Sequence, residues 1–443
     1  MFAYRAGEPI TARDFLQDVA QLAAALPRAR HVLNVCTDAY HFAVGFAASL
    51  LAQKVSLLPS AHTPEVIRQL LQFAPDAFCL TDDARCPIQL PRLQYPARRA
   101  GAAGDLAQGS WRVPEIPADQ LAAHVFTSGS SGTPLAHRKS WGHLVSCVRC
   151  EAQRLDLSAG ACAIVGTVPP QHMYGFESTV LLTLHSGNAL SARRPFYPAD
   201  ICSTLESLPR PRVLVSTPVH LRALLASDVT LPAADLVLSA TAPLSQSLAQ
   251  QVERRFGTRL MEIYGSTETG QIASRRTTQT AEWRLFDGVR LREESGRIWA
   301  EGGHVEEPTA LCDVLEMRGP EHFLLHGRLS DLVNIAGKRS SLAYLNHQLN
   351  AIAGVLDGTF FLRDAADGTE QVSGGVTRVA ALVVAPTLDA AAVIEQLRER
   401  IDPVFLPRPL LFVDRLPRNE TGKLPYDALY SLAAAAMKHA TSR

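Results

Sequence analysis

The chain has no excess of charge of either sign: 43 Lys and Arg stand against 43 Asp and Glu. Nucleic-acid and anionic-membrane binding call for a concentrated basic excess, so neither has an electrostatic basis here. Long apolar runs are missing as well. The most apolar stretch, Phe42 to Ala52, is too short to span a bilayer and reads as a core helix. Cysteine is sparse, with 8 scattered over 443 residues, which excludes a disulfide scaffold. Cys147 and Cys150 form a C-x-x-C with no second pair, and H-E-x-x-H does not occur, so a protein-bound zinc is not expected. The first residues lack a basic segment followed by an apolar one, so no secretory signal is expected and the cytoplasm is the expected compartment. What the chain does have is 47% hydrophobic and 19% charged residues, enough apolar surface for a sizeable core and too much for intrinsic disorder.

Up to residue 270 short apolar runs alternate with helical periodicity. Strands are expected over 31–36, 54–58, 77–81, 163–167, 212–216, 235–240 and 259–263, and helices over 39–53, 64–73, 178–185, 219–226 and 245–256. Thr63 followed by Pro64 reads as an N-cap and first helical position. Residues 85–119 are rich in Pro, Gly and Arg and predict an irregular connection, while Val125-Phe126 predicts a strand running into a loop before a helix from Ser140. This alternation predicts an α/β fold with largely parallel sheets, whose ligands bind at loops beyond the strands' carboxyl ends. From 283 onward the strands become shorter and turn-rich. After Gly327-Arg328 a compact α+β tail follows, with strands at 379–384 and 410–413 and a helix at 390–400. The expected domains are therefore 1–329 and 330–443.

Four segments carry chemistry. Thr127, Ser128, Gly129, Ser130, Ser131 and Gly132 follow a strand directly; glycines let backbone N–H groups approach an anion and the hydroxyls add donors, which suits a polyphosphate. It is not a P-loop, because no Gly-Lys-[Ser/Thr] follows. Tyr264-Gly265-Ser266-Thr267-Glu268 ends a strand: the aromatic can cover a purine, and the hydroxyl and carboxylate can reach a phosphate and a metal. Asp313 precedes Gly327-Arg328, and Lys423 closes the polar turn that begins at Leu416. Taken singly, each is compatible with a polar loop, a strand exit or solvated surface.

Together, in this order, they resemble the adenylate-forming superfamily of acyl- and aryl-CoA synthetases, nonribosomal adenylation domains and luciferases. Val215 to Pro218, Ala240 to Leu244 and Pro169 to Gly175 resemble further motifs of that family, and the likeness runs from about residue 30 to 430. The resemblance implies a large N-terminal domain of parallel-rich sheets, a small β-barrel-like subdomain and a small mobile α+β C-terminal domain. It implies ATP and Mg²⁺ as cofactors. Thr127 to Gly132 would close over the β- and γ-phosphates, Tyr264 would stack on adenine beside Ala240, Thr241 and Ala242, Thr267 would meet the α-phosphate and Glu268 the Mg²⁺. Asp313 would hold ribose and Arg328 would also reach the nucleotide. Lys423 would bridge the acid and the α-phosphate, offsetting the charge that accumulates there. His172, Tyr174, Gly175 and Gly265 would border the acid, with His172 as a gate. Leu329 to Asp331 would be the hinge on which the small domain turns to admit a thiol.

The chain departs from the family pattern at several points. The Ser/Gly loop reads Pro134-Leu135-Ala136 instead of Pro-Lys-Gly, and Arg138 or Lys139 is expected to supply the missing charge. The hinge carries Ser330 where Asp is common, and Lys338 to Asn346 replaces an acidic segment. The chain is also shorter than many members. In these respects it resembles the short ligases of aryl polyene and xanthomonadin-type pigment clusters, which implies a hydroxybenzoic, aryl or other flat apolar acid and an acyl carrier protein as acceptor. Free coenzyme A is the alternative acceptor, and a non-catalytic nucleotide-binding homologue the alternative class. No Asp stands near Val215 to Val219 to hold an amino acid's ammonium, so an amino-acid substrate is not expected.

Overall fold

The structure is a computed structural model that describes residues 1–59, 61–96, 112–128, 134–328, 332–335, 338–362, 378–419 and 422–441. Its spine is an eleven-stranded sheet in the order Asp313–Met317, His322–Arg328, Trp283–Leu285, Gly270–Arg275, Leu260–Ser266, Leu236–Ser239, Arg212–Ser216, Ala163–Gly166, Ala189–Ser191, Ala3–Arg5, Glu8–Ile10. From Leu260–Ser266 to Ala3–Arg5 neighbouring strands pair parallel; beyond these the pairing is antiparallel. A second, six-stranded sheet runs Arg92–Gln94, Phe78–Thr81, His31–Asn34, Val55–Leu58, Leu121–Ser128, Pro134–Ser140 and is parallel except for its last pair. Fully buried parallel strands read as unbroken apolar runs, as Ala163–Gly166 does; Val55–Leu58 is broken only by Ser56.

The helix Ala39–Leu51 is apolar all round because protein surrounds it. Asp38 starts it by accepting from the His41 N–H at 3.0 Å. Phe42 and Phe46 on this helix meet Phe176 edge to face, at centroid distances of 6.3 and 4.8 Å. Phe176 opens a π-helical turn, Phe176–Leu181, which continues as the α-helix Leu182–Ser186. Helical structure here therefore starts at Met173, earlier than the 178 expected from periodicity, because all of Met173 to Leu182 is buried and lacks an amphipathic signal.

Three other local readings change. The stretch expected to be irregular contains the parallel edge strand Arg92–Gln94. The segment before Trp141 is a strand, Pro134–Ser140, hydrogen-bonded back along Leu121–Ser128, with Ser140 at the N-cap position of the following helix. Of the turn-rich strands after 283, Val289–Glu294, Arg297–Gly302 and Thr309–Ala310 form a separate three-stranded sheet, while Trp283–Leu285, Asp313–Met317 and His322–Arg328 extend the large one.

The expected boundary falls on 329–331, outside the described residues. Beyond it Asp357–Leu362, Val379–Val384 and Leu410–Phe412 form their own sheet, with Leu342–Asn350, Ala390–Arg398 and Tyr426–Thr441 as helices. Its two faces bury separate cores, one around Phe360 and Leu345, the other around Phe361 and Leu411. Truncating Phe46, which is 1% exposed, to Ala should lower unfolding free energy by about 3–5 kcal/mol. Denaturant melts with an unchanged midpoint would contradict this packing.

Candidate active site

Tyr264 sits where the Leu260–Ser266 and Gly270–Arg275 strands slip register, between Tyr264 and Gly265. The bulge turns the ring toward Trp283 and Phe323, each with its centroid 5.5 Å away. Its hydroxyl donates to Asp313 Oδ2 at 2.7 Å. Asp313 is the cross-strand partner of Arg328. An apolar ring beside a carboxylate that faces outward thus comes from two strands of one sheet. Beside it, Ala240 is buried and Thr241 holds a left-handed φ of 77°. Non-glycine residues keep such a conformation only where the surroundings over-determine it, commonly at ligand sites.

The turn that carries Thr267 and Glu268 is locked by its neighbours. The Ser266 and Thr269 side chains each accept from the other's backbone N–H at 3.2 Å. Gly265 is required sterically, since a Cβ there would collide with the Gly270 carbonyl and lie 2.7 Å from Gln271 Cα. Lys139 is buried, and its ammonium donates to the Glu268 carbonyl at 2.7 Å. It therefore holds the turn, where a phosphate-facing cation is expected of Arg138 or Lys139; Arg138 is exposed. Burial pushes the Lys139 pKa down, opposed chiefly by Glu177. His137 Nε2 lies 2.9 Å from Thr127 Oγ1 and 3.7 Å from Glu268 Oε1, linking the base of the Ser/Gly loop to the turn. Gly129 to Gly132 lie outside the described residues, as do the side chains of Ser128 and Arg328.

Lys423 stands on a turn from the small domain. Asn419 Oδ1 accepts from the Lys423 N–H at 2.9 Å, and Arg418 donates to the Gly422 carbonyl at 3.0 Å. Arg418 is itself clamped by both oxygens of Asp357, at 2.7 and 2.8 Å. Gly422 has a φ of 78°, and a Cβ there would lie 3.1 Å from Val219 Cγ2 and 3.7 Å from Thr217 Oγ1. The turn is thus seated on the N-terminus of the helix Pro218–Ala226 in the large domain. The Lys423 charge reaches His172, whose pKa falls to about 4, mainly through burial and secondarily through Lys423. The His172 Nδ1 atom is buried without a hydrogen-bond partner. Gly175, in the same segment, packs on the Pro169 carbonyl too closely for any Cβ.

Beyond the turn lies a buried polar group that sequence reading missed. Glu151, Glu177, Ser178 and Gln271 are all nearly inaccessible. Ser178 donates to Glu151 Oε1 at 2.7 Å and accepts from Gln271 Nε2 at 2.8 Å. Cys147 donates to Glu177 Oε1 at 3.3 Å. Burial pushes Glu151 up to about 8 and Glu177 up to about 7, the latter moderated by Lys139. The one signal in the sequence was an acid, Glu177, beside the apolar run from Val180 to Leu182; Glu151 lies in a mixed polar helix and gave none.

The AMP-binding enzyme family model matches residues 2–293, which include the strand–turn of Tyr264 to Glu268 and the gate segment. The chain belongs to the AMP-binding enzyme family. A 4-coumarate–CoA ligase of Rhodobacter capsulatus is 30% identical over 52% of this chain, and the match spans only 57% of that ligase. One from Halorhodospira halophila is 28% identical over 67% of this chain and 73% of its own. ATP-bound MatB from Rhodopseudomonas palustris superposes with a TM-score of 0.79 at 20% identity, covering 98% of this chain and 95% of that one. A benzoate CoA ligase from Burkholderia xenovorans gives 0.76 at 18% identity, over 97% and 96%. The family member's fold is therefore that of these enzymes. No helix among its described residues is long and apolar enough to cross a membrane.

The raised Glu151 pKa has a thermodynamic sign. A carboxyl whose folded pKa lies above its unfolded value of 4.5 stabilises fully below that value, and the contribution is lost as pH rises through about 8. Glu151→Gln removes this loss, so the variant's Tm relative to wild type should rise between pH 5 and pH 8.5. A difference that stays constant across that range would show that Glu151 does not titrate as described.

Proposed function

We propose that this enzyme joins a carboxylic acid to AMP at the expense of ATP and passes the acyl group to a thiol. The carboxylate oxygen attacks the α-phosphorus, the bond to the β-phosphate breaks and pyrophosphate leaves; the thiol sulfur then attacks the acyl carbon and AMP departs. The observation that carries the reading is the seating of the Lys423 turn on Thr217 and Val219, with its charge felt at His172. This brings a cation from the small domain to the end of the gate segment, where two anions must meet. His172, kept neutral, adds no competing charge of its own.

The other residues supply the remaining requirements. Tyr264, Thr241 and Asp313 offer a purine face and a ribose acceptor, Thr127 and its loop the phosphate donors, and Thr267 a hydroxyl toward the α-phosphate. Glu268 presents one carboxylate, 36% exposed, from a turn fixed by Lys139, which fits a nucleotide-bound Mg²⁺ needing only one or two protein carboxylates. Bound there, Mg²⁺ would offset charge on the departing pyrophosphate. The acid would be aryl or otherwise flat, lying between the gate segment and Gly265.

The relatives named as CoA ligases support coenzyme A as the acceptor thiol. The carrier protein implied by the likeness to pigment-cluster ligases is the second reading, and rests on the short form of the chain and the Lys338 to Asn346 segment. Acid-dependent ATP–pyrophosphate exchange over benzoic, cinnamic and fatty acids tests the first half-reaction, and competition between CoA and a carrier protein the second. Lys423→Ala should slow exchange by about 10²–10³-fold, by analogy with loss of one oxyanion donor. Undiminished exchange in that variant, or none with any acid in the wild type, would overturn the proposal.

A further inference from the structure

Thr127 and Glu268 come from different sheets. Thr127 lies near the end of Leu121–Ser128 in the six-stranded sheet, and Glu268 on the turn between Leu260–Ser266 and Gly270–Arg275 of the eleven-stranded one. The strand Pro134–Ser140, at the edge of the smaller sheet, touches both. Pairing sets Leu135 opposite Thr127, His137 opposite Val125 and Lys139 opposite Ala123, so Thr127, His137 and Lys139 share one face. Ala136 and its partner Phe126 are on the other face, packed on the core around Leu33 and Leu57. A slip of one residue would turn His137 and Lys139 into that core, so burial of the apolar face fixes the register.

On the shared face His137 is the diagonal neighbour of Thr127. Its Nε2 lies 2.9 Å from Thr127 Oγ1 and 3.7 Å from Glu268 Oε1. Lys139, 4% exposed, directs its ammonium to the Glu268 carbonyl at 2.7 Å. The Glu268 carboxylate is 36% exposed, so the peptide is pinned by protein while the side chain stays open to solvent. The strand is anchored beyond these contacts as well, since the Ser140 N–H donates to the Glu306 carboxylate.

We infer that His137 and Lys139 are positioning residues that set the Glu268 carboxylate against Thr127, so that the spacing of metal ligand and phosphate ligand is fixed by one edge strand. This role rests on the reading of Thr127 and Glu268 above as ligands of the phosphates and of Mg²⁺. It gives Lys139 no contact with the nucleotide, although its charge is the one expected to replace the missing lysine of the Ser/Gly loop. The two roles differ measurably. A cation on a phosphate strengthens ATP binding whether or not metal is present. A group that orients the metal's carboxylate contributes only when the metal is there, and its removal commonly costs about 10–100-fold in metal affinity.

The test is the Kd of ATP for the full chain by titration calorimetry, once with Mg²⁺ and once with EDTA; the ratio of the two constants reads the metal's contribution. Wild type should bind ATP at least about tenfold more tightly with Mg²⁺, and Glu268→Gln should bring the ratio near unity. Lys139→Met and, separately, His137→Leu should lower the ratio to within about threefold of unity while the Kd in EDTA stays within about threefold of wild type. Calorimetry reads the binding-competent fraction, so partial misfolding alters the stoichiometry and leaves the constants. His137, with a side chain 16% exposed, supplies the second variant should Lys139→Met not fold. A ratio unmoved in either folded variant, or ATP weakened equally with and without Mg²⁺ as loss of a phosphate contact would do, overturns the inference and leaves the ligase reading standing. No binding of ATP by the wild type, or a wild-type ratio near unity, removes the reading of Thr127 and Glu268 and this inference with it.

Discussion

The contact between the Gly422 turn and the Thr217–Val219 corner governs the rest of the arrangement, because it decides which charge faces the gate segment. It depends on a residue without a side chain: Gly422 takes a left-handed φ and abuts Val219 where a Cβ would press on its methyl. The turn is stiffened from its own side by the Asp357–Arg418 fork, which also fixes the Gly422 carbonyl. Arg222 of the large domain, largely buried and lowered in pKa mainly by that burial, feels the charges of both Asp357 and Arg418. The fork is therefore set against the large domain as well as within the small one. A flexible lysine is delivered by a rigid mount.

The hairpin of Leu260–Ser266 and Gly270–Arg275 divides the site into two compartments of different chemistry. On one side Tyr264 and Asp313 offer a planar apolar face with an outward carboxylate, suited to a nucleoside. On the other, Gln271, Glu177 and Ser178 are buried polar groups. Gly265 can lie between them because it contributes no side chain to either, and its close approach to Gly270 keeps the partition one backbone thick.

Much of this was legible beforehand. The strand running into the Tyr264 to Glu268 turn is readable from its apolar run, whereas the roles expected of Asp313 and Lys423 rest on the family resemblance. The parallel core strands were equally plain, since burial on both faces leaves continuous apolar runs. What escaped was set by tertiary context. Pro134–Ser140 is polar at His137, Arg138 and Lys139 and shows no strand signature; it is a strand because Leu121–Ser128 needs a partner at the edge of its sheet. The onset of helix at Met173 was hidden because a segment buried all round has no period to detect. Glu151 and Glu177 drew no reading, and only their neighbours show that they are buried.

Lys139 explains how the missing lysine of the Ser/Gly loop and the extra acids belong together. Its ammonium reaches the Glu268 carbonyl, while Glu177, Glu306 and Glu268 lie near it as negative charges. A buried cation of this kind is tolerable only when paired. Glu177 is a buried carboxyl that accepts from Cys147, and Lys139 is the nearby cation that most draws its pKa back toward the normal range. One charge thus steadies the turn that presents Thr267 and Glu268 and also offsets the buried Glu177. Replacing Lys139 by an apolar residue removes the donor to the Glu268 carbonyl and the cation facing the buried Glu177 at once, so the geometry of the nucleotide turn and the charge of the buried group behind it are linked through a single side chain.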